Sequence, residues 1–200
     1  MLNKRSRIDP RVVRTRQLLR SALTSLISEK GYASISIQEI TDRASLNRAT
    51  FYLHYRDKNS LLIDVLEELL NEAAPLPPSG GAPAADTAQE SVVLVFDHFA
   101  EHAKFYYRML AEENVPEFST RVRSYVEEVG LKWLIAIQPD EDKVTVPRGI
   151  TINFIGSAFI GVLVWWLQNE MPYSSQEMAA YVLLLTGFGL NRVMGMDLTE

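Results

Sequence analysis

The chain has 200 residues and no cysteine, which excludes disulfides, zinc–thiolate centres and thiol nucleophiles together. That composition suits a reducing compartment, and a cytoplasmic protein is expected. Histidine is scarce, with three in the chain. There is no glycine-rich phosphate loop, no serine–histidine–acid elbow and no paired-carboxylate motif, so neither an enzyme nor a cofactor is expected. The start, Met1 to Arg7, is polar and lacks the apolar core of a secretory leader. Strand-like alternation is missing apart from Lys143–Val146, read as loop. The longest apolar run, Ile150 to Leu167, has about the minimum length of a membrane span. Thr151, Asn153 and Ser157 interrupt it, and it reads instead as a helix covered on all sides, by its own core and by a partner subunit.

What is present is an ample core and an uneven charge. Hydrophobic residues make up 47% of the chain, enough to bury a substantial interior. The net charge of −5 conceals a split: residues 1–58 hold twelve Lys and Arg against five Asp and Glu, while the remainder holds eight against twenty. A basic head on an acidic body is what recognition of phosphate by one end requires.

The pattern predicts an all-α fold of about nine helices. Helix one runs from Pro10 to Lys30, with proline in the first turn and Gly31 past the end. Ser36 opens helix two with a capping box to Glu39. Ala44, Ser45 and Leu46 form a turn, and Asn47 caps a third helix that ends near His54. Asp57 caps helix four. Four prolines and two glycines mark residues 74–86 as a loop. Further helices are expected at Thr87–Ala103, Lys104–Leu110, Pro116–Ile137, Pro147–Asn169 and Ser174–Met194, the last with a second capping box, Ser174 with Glu177. Residues 1–58 are expected to form one domain and 59–200 another.

Two short helices around a tight turn are too small for a domain and too polar on one side for a core. A helix-turn-helix places its second helix in the major groove of DNA. Ile37, Ile40, Ala44, Leu46, Phe51 and Leu53 are the apolar residues expected to hold the pair together. Gln38, Asn47, Arg48, Ala49, Thr50, Tyr52 and His54 then face outward, and with Ser36 and Lys58 they are the expected DNA-binding residues. Arg48 suits guanine, and Gln38 or Asn47 suits adenine; Ala49 and the Thr50 methyl suit thymine methyls. Tyr52, Thr50 and Lys58 suit phosphate, which sets register without reading sequence. His54 reads equally well as phosphate contact or local packing.

The run Thr50-Phe-Tyr-Leu-His-Tyr-Arg-Asp-Lys58, followed by Ser60-Leu-Leu, resembles the signature of the TetR family of bacterial transcriptional regulators, with Gly31-Tyr, Ile37, Ile40 and Ala44 ahead of it. The resemblance covers roughly residues 11–70. It implies that Gln38, Arg48, Ala49, Thr50, Tyr52, His54 and Lys58 contact double-stranded operator DNA. It also implies that the rest of the chain forms a dimer and binds an effector. The family usually carries glycine in the turn, where this chain has Ser45. A serine held there in the left-handed conformation costs about 1 kcal/mol.

In the body, small residues (Gly156, Ser157, Ala158, Gly161) alternate with apolar ones near 147–169. Ala179, Ala180, Gly187 and Phe188 do the same near 174–194. Two such helices per subunit suit a four-helix homodimer interface. Residues 159–173 further resemble one branch of the family's C-terminal domains. Phe96, Phe99, Tyr106, Trp133, Phe154 and Trp165, with His102 and Asn153 as polar partners, read either as core or as the lining of a pocket for a small apolar or amphipathic effector. A protein co-regulator is the other partner this body suits. His98 and His102 have chelating i, i+4 spacing but no clear third ligand, so no metal is expected.

Overall fold

The computed structural model describes residues 9–73 and 85–193, with backbone alone for 85–86 and 188–193. The expected loop at 74–86 falls almost wholly outside this range, as does the side chain of Phe188. Nine α-helices, one π-helical turn and one 3-10 turn make up the described residues, with no strand among them. The all-α expectation holds. The chain divides into two compact units, Met1–Leu69 and Leu70–Glu200, and the division falls inside the fourth helix.

In the first unit, α1 (Pro10–Lys30) starts where the Asp9 carboxylate accepts the Arg11 amide at 2.9 Å, and it ends at Gly31, whose φ of 80° favours glycine. Its buried face is Leu19, Ala22, Leu23, Leu26 and Ile27. Helices α2 (Ile37–Arg43) and α3 (Arg48–His54) have seven residues each, too few to be stable alone. Burial holds them: Ile40 and Phe51 are fully buried, as are Leu61, Leu62 and Leu66 of α4 (Lys58–Ala73). Polar cross-links add to this burial. Arg20 pairs with Asp64 at 3.1 Å and with Glu68 at 2.6 Å, and the Tyr55 hydroxyl donates to the same Asp64. Arg43 makes a two-pronged contact with Glu29 at 2.7 and 2.8 Å, which holds that carboxyl near pH 2 in pKa.

The second unit contains α5 (Ala85–Glu101), α6 (Ala103–Tyr106), a π-helical turn (Tyr107–Glu112), α7 (Pro116–Ile137), a 3-10 turn (Glu141–Lys143), α8 (Arg148–Gln168) and α9 (Ser175–Val193). The single helix expected at Lys104–Leu110 is thus a short α-helix that widens into a π turn. Helices α7 and α8 approach closely because Gly130 and Gly156 omit a side chain. A Cβ at Gly130 would lie 2.6 Å from Ile152, and one at Gly156 would lie 2.8 Å from Glu127. Arg148 closes the α7–α8 connection by donating to the carbonyls of Gln138 at 2.5 Å and Pro139 at 3.0 Å. The interior is an aromatic cluster in which Phe96 contacts Phe159 and Trp166, Phe99 contacts Tyr106 and Phe159, and Phe118 contacts Phe105 and Tyr106. Aromatic pairs in such tilted and edge-on geometries are each worth about 0.5–1.5 kcal/mol beyond their area.

Candidate nucleic-acid interface

The turn between α2 and α3 sets the candidate site. Ser45 sits at φ 55°, the left-handed conformation. The Ser45 amide donates to Asp42 O at 3.1 Å and the Leu46 amide to Thr41 O at 2.8 Å. These two bonds form a Schellman motif, which normally places glycine at Ser45. Ser36 makes the reciprocal capping box with Glu39 read from the sequence.

Helix α3 begins at Asn47, whose side-chain oxygen accepts from the Thr50 amide at 2.7 Å and the Thr50 hydroxyl at 2.9 Å. Asn47 therefore acts first as a cap. At about 100° per residue, Arg48, Ala49, Tyr52 and Leu53 occupy one face of α3, and all four are exposed. Phe51 lies opposite and is buried, with Thr50 and His54 half-buried on the flanks. Leu53, expected to help hold the two helices together, is instead 81% exposed. The reason is angular: it follows Tyr52 on the outward side, and Phe51 alone fills the inward one.

The outward residues are ordered by one another. Arg48 donates to the Tyr52 hydroxyl at 3.2 Å, with its guanidinium carbon 5.7 Å from the Tyr52 ring centre. That pair combines a hydrogen bond with a cation–π contact. One helix earlier, the Gln38 amide donates to Asp42 at 2.7 Å. Lys58 is half-buried, and its ammonium donates to the carbonyls of Tyr32 at 2.8 Å and Ile35 at 2.7 Å above the Tyr32 ring. Two of its three N–H donors thus bind the α1–α2 connection. This structural duty is invisible in the sequence, where lysine at a helix start suggests phosphate.

The chain's similarity to known proteins agrees with this geometry. Residues 19–65 match a family model described as bacterial regulatory proteins of the tetR family, and residues 86–186 match one described as a transcriptional regulator C-terminal region. The chain belongs to the TetR family. It is a transcriptional regulator of TetR type and not an enzyme. It is 22% identical to the HTH-type transcriptional regulator YerO of Bacillus subtilis over 79% of its own length, spanning 58% of that protein. It is 24% identical to the HTH-type transcriptional activator FasR of Mycolicibacterium smegmatis, covering 96% of this chain and 89% of that one. A solved TetR transcriptional regulator from Streptococcus agalactiae superposes with a TM-score of 0.67 at 25% identity, over 89% of this chain and 96% of the other. TetR-family members bind operator DNA and usually form dimers, and some respond to small molecules.

The structure distributes the candidate effector residues of this TetR-type body between two places. Phe96, Phe99 and Tyr106 are buried in the aromatic cluster, with His102 and Trp133 half-buried. Asn153, Phe154 and Trp165 stand on the outer face of α8, Phe154 at 66% and Trp165 at 46% exposure. Sequence reasoning missed two polar features of the interior. His98 is buried with its Nε2 2.9 Å from the Tyr106 hydroxyl. Burial, then the neighbouring His102, lowers its pKa from 6.5 to about 4, so it is neutral near pH 7. The Tyr125 hydroxyl is buried without a hydrogen-bond partner, and burial, then nearby Glu128, pushes its pKa up to about 12.

Proposed function

We propose that this regulator is a homodimeric repressor that binds a pseudo-palindromic operator in the cytoplasm and releases it when an effector occupies the body. The observation that carries the dimer is the outer face of α8. Ile150, Phe154, Ala158, Gly161 and Trp165 recur at three- and four-residue spacing and are all exposed. Only 28% of the most apolar stretch of this helix is buried within the chain. A Cβ at Gly161 or at Gly187 of α9 would meet nothing within 4 Å among the described residues, so none of them calls for a small residue there. Close approach of a second subunit does. Two-fold pairing of α8 and α9 then presents two copies of α3 to successive half-sites.

On the DNA side, Arg48 and Gln38 read base edges, Ala49 contacts a thymine methyl, and Tyr52, Thr50 and His54 engage the backbone. Ser36, Asn47 and Lys58 hold the elements that carry them. The effector is a small apolar or amphipathic molecule, or a co-regulator protein, acting through α4, the helix in which the chain passes from the first unit to the second. Likeness to FasR, an activator by name, supports a second reading in which the same dimer recruits transcription. Selection of binding sites from a pool of randomised duplexes, with sedimentation of the free protein, tests the proposal. A palindromic consensus and a dimer are expected. A monomer, or no enriched sequence, sinks it. Transcription from a promoter carrying the selected site, with and without the protein, separates repressor from activator.

A further inference from the structure

Leu53 is the most exposed large hydrophobic side chain among the described residues, at 81%. It lies on α3, whose outward face otherwise carries Arg48, Ala49 and Tyr52. Neither helix pairing nor the core uses it. It stands one turn beyond Ala49, so α3 carries two parallel rows: Arg48 with Tyr52, and Ala49 with Leu53. The first row is cationic and fixed by its internal hydrogen bond and cation–π contact. The second is wholly apolar. An unpaired leucine beside an arginine, on the basic part of the chain, fits one feature of DNA. In the major groove the thymine C5-methyl is the apolar group, and it lies among the acceptors that arginine seeks.

We infer that Leu53 is a specificity-determining residue which reads a thymine methyl, within the DNA-binding reading proposed above. The Ala49–Leu53 row then selects thymines on one strand while Arg48, steadied by Tyr52, selects a neighbouring guanine. A half-site with guanine close to thymine follows. Backbone phosphate offers Leu53 no comparable contact, because it has no apolar surface to cover.

The experiment uses the full chain and the duplex obtained by selection from the randomised pool. Each thymine is replaced in turn by deoxyuridine, which removes the methyl group and nothing else. Affinity is measured for the wild type and for Leu53→Ala. For the wild type, one deoxyuridine position per half-site, beside the one that Ala49 reads, should weaken binding about threefold to fivefold, the worth of one methyl removed from water. For Leu53→Ala that position should become indifferent, and its thermal midpoint should match the wild type because an exposed side chain is being trimmed. Equal sensitivity of both proteins at every deoxyuridine position, or sensitivity of neither at any, overturns the inference while leaving DNA binding intact. A lowered thermal midpoint for Leu53→Ala overturns it differently, by making Leu53 structural. Failure to select any duplex removes the DNA-binding reading itself.

Discussion

Helices α3 and α8 both present faces that the described structure leaves uncovered, but the two faces have opposite chemistry. That of α3 combines a guanidinium, a phenol and two apolar side chains within seven residues. That of α8 carries an uncharged, mainly apolar stripe, Ile150, Phe154, Ala158, Gly161 and Trp165, flanked by Asn153 and Ser157. A groove in DNA offers charge, hydrogen-bonding edges and a few methyls, so it matches the first. A second copy of an apolar helix matches the second, because such a surface gains most by excluding water. The supports differ as well. Polar clamps at Lys58, Arg20 and Arg43 hold α3 and its neighbours, whereas packed aromatic rings hold α8.

Gly161→Glu tests this contrast most severely. Nothing among the described residues opposes the new side chain, so the monomer should fold normally. Its charge at a symmetric apolar contact should cost about 3 kcal/mol or more of dimer stability. Sedimentation would show monomers at concentrations where the wild type pairs; an unaltered dimer would place the interface elsewhere.

Acid should loosen the support of α8. The folded pKa of His98, about 4, lies below its unfolded value of 6.5. The unfolded chain therefore takes up the proton first as pH falls. Stability should be indifferent to this group above pH 6.5 and should decline between pH 6.5 and 4, by on the order of 2 kcal/mol. Urea unfolding at a series of pH values, compared with His98→Gln, isolates the effect; equal slopes would remove His98 as its cause.

Lys58→Ala attacks the mount of α3. Removing the ammonium takes a donor from the Ile35 carbonyl and leaves the Tyr32 carbonyl its bond from the Ile35 amide at 3.2 Å, at about 2 kcal/mol. Denaturant unfolding should register this loss without any DNA present. If stability is unchanged and only DNA affinity falls, Lys58 is a phosphate ligand after all. The smallest effect has the opposite sign. Ser45→Gly should stabilise the chain by about 0.5–1 kcal/mol, because glycine adopts the left-handed turn at φ 55° without the serine penalty. A higher thermal midpoint with unchanged operator preference is expected.

The sequence made legible what depends on neighbours along the chain. Both capping boxes, the Asn47 cap, the span of α7 and the irregular turn at Ser45 follow from local rules about termini and φ. Facing was harder to read. In a seven-residue helix only two turns define a side, and leucine's usual preference for the interior points Leu53 the wrong way. In α8, apolar all round, periodicity cannot separate Phe159, which is buried, from Phe154, which is not. Lys58 and His98 show a third limit, since their partners lie 26 and 8 residues away in sequence. Only the fold brings them together.

The adjacent tryptophans of α8 have a practical consequence. Trp165 is 46% exposed on the outer face, while Trp166 is 1% exposed and packs against Phe96. The third tryptophan, Trp133, also lies in the second unit, and the first has none. Tryptophan fluorescence, excited clear of tyrosine, is therefore a readout of the body alone, silent toward the basic head. Within that signal Trp165 responds to whatever covers α8, and Trp166 to the integrity of the interior. With no native thiol to compete, one engineered cysteine on α3 would accept a dye and give the head its own colour. Assembly, unfolding and DNA engagement would then be separable optical signals from one molecule.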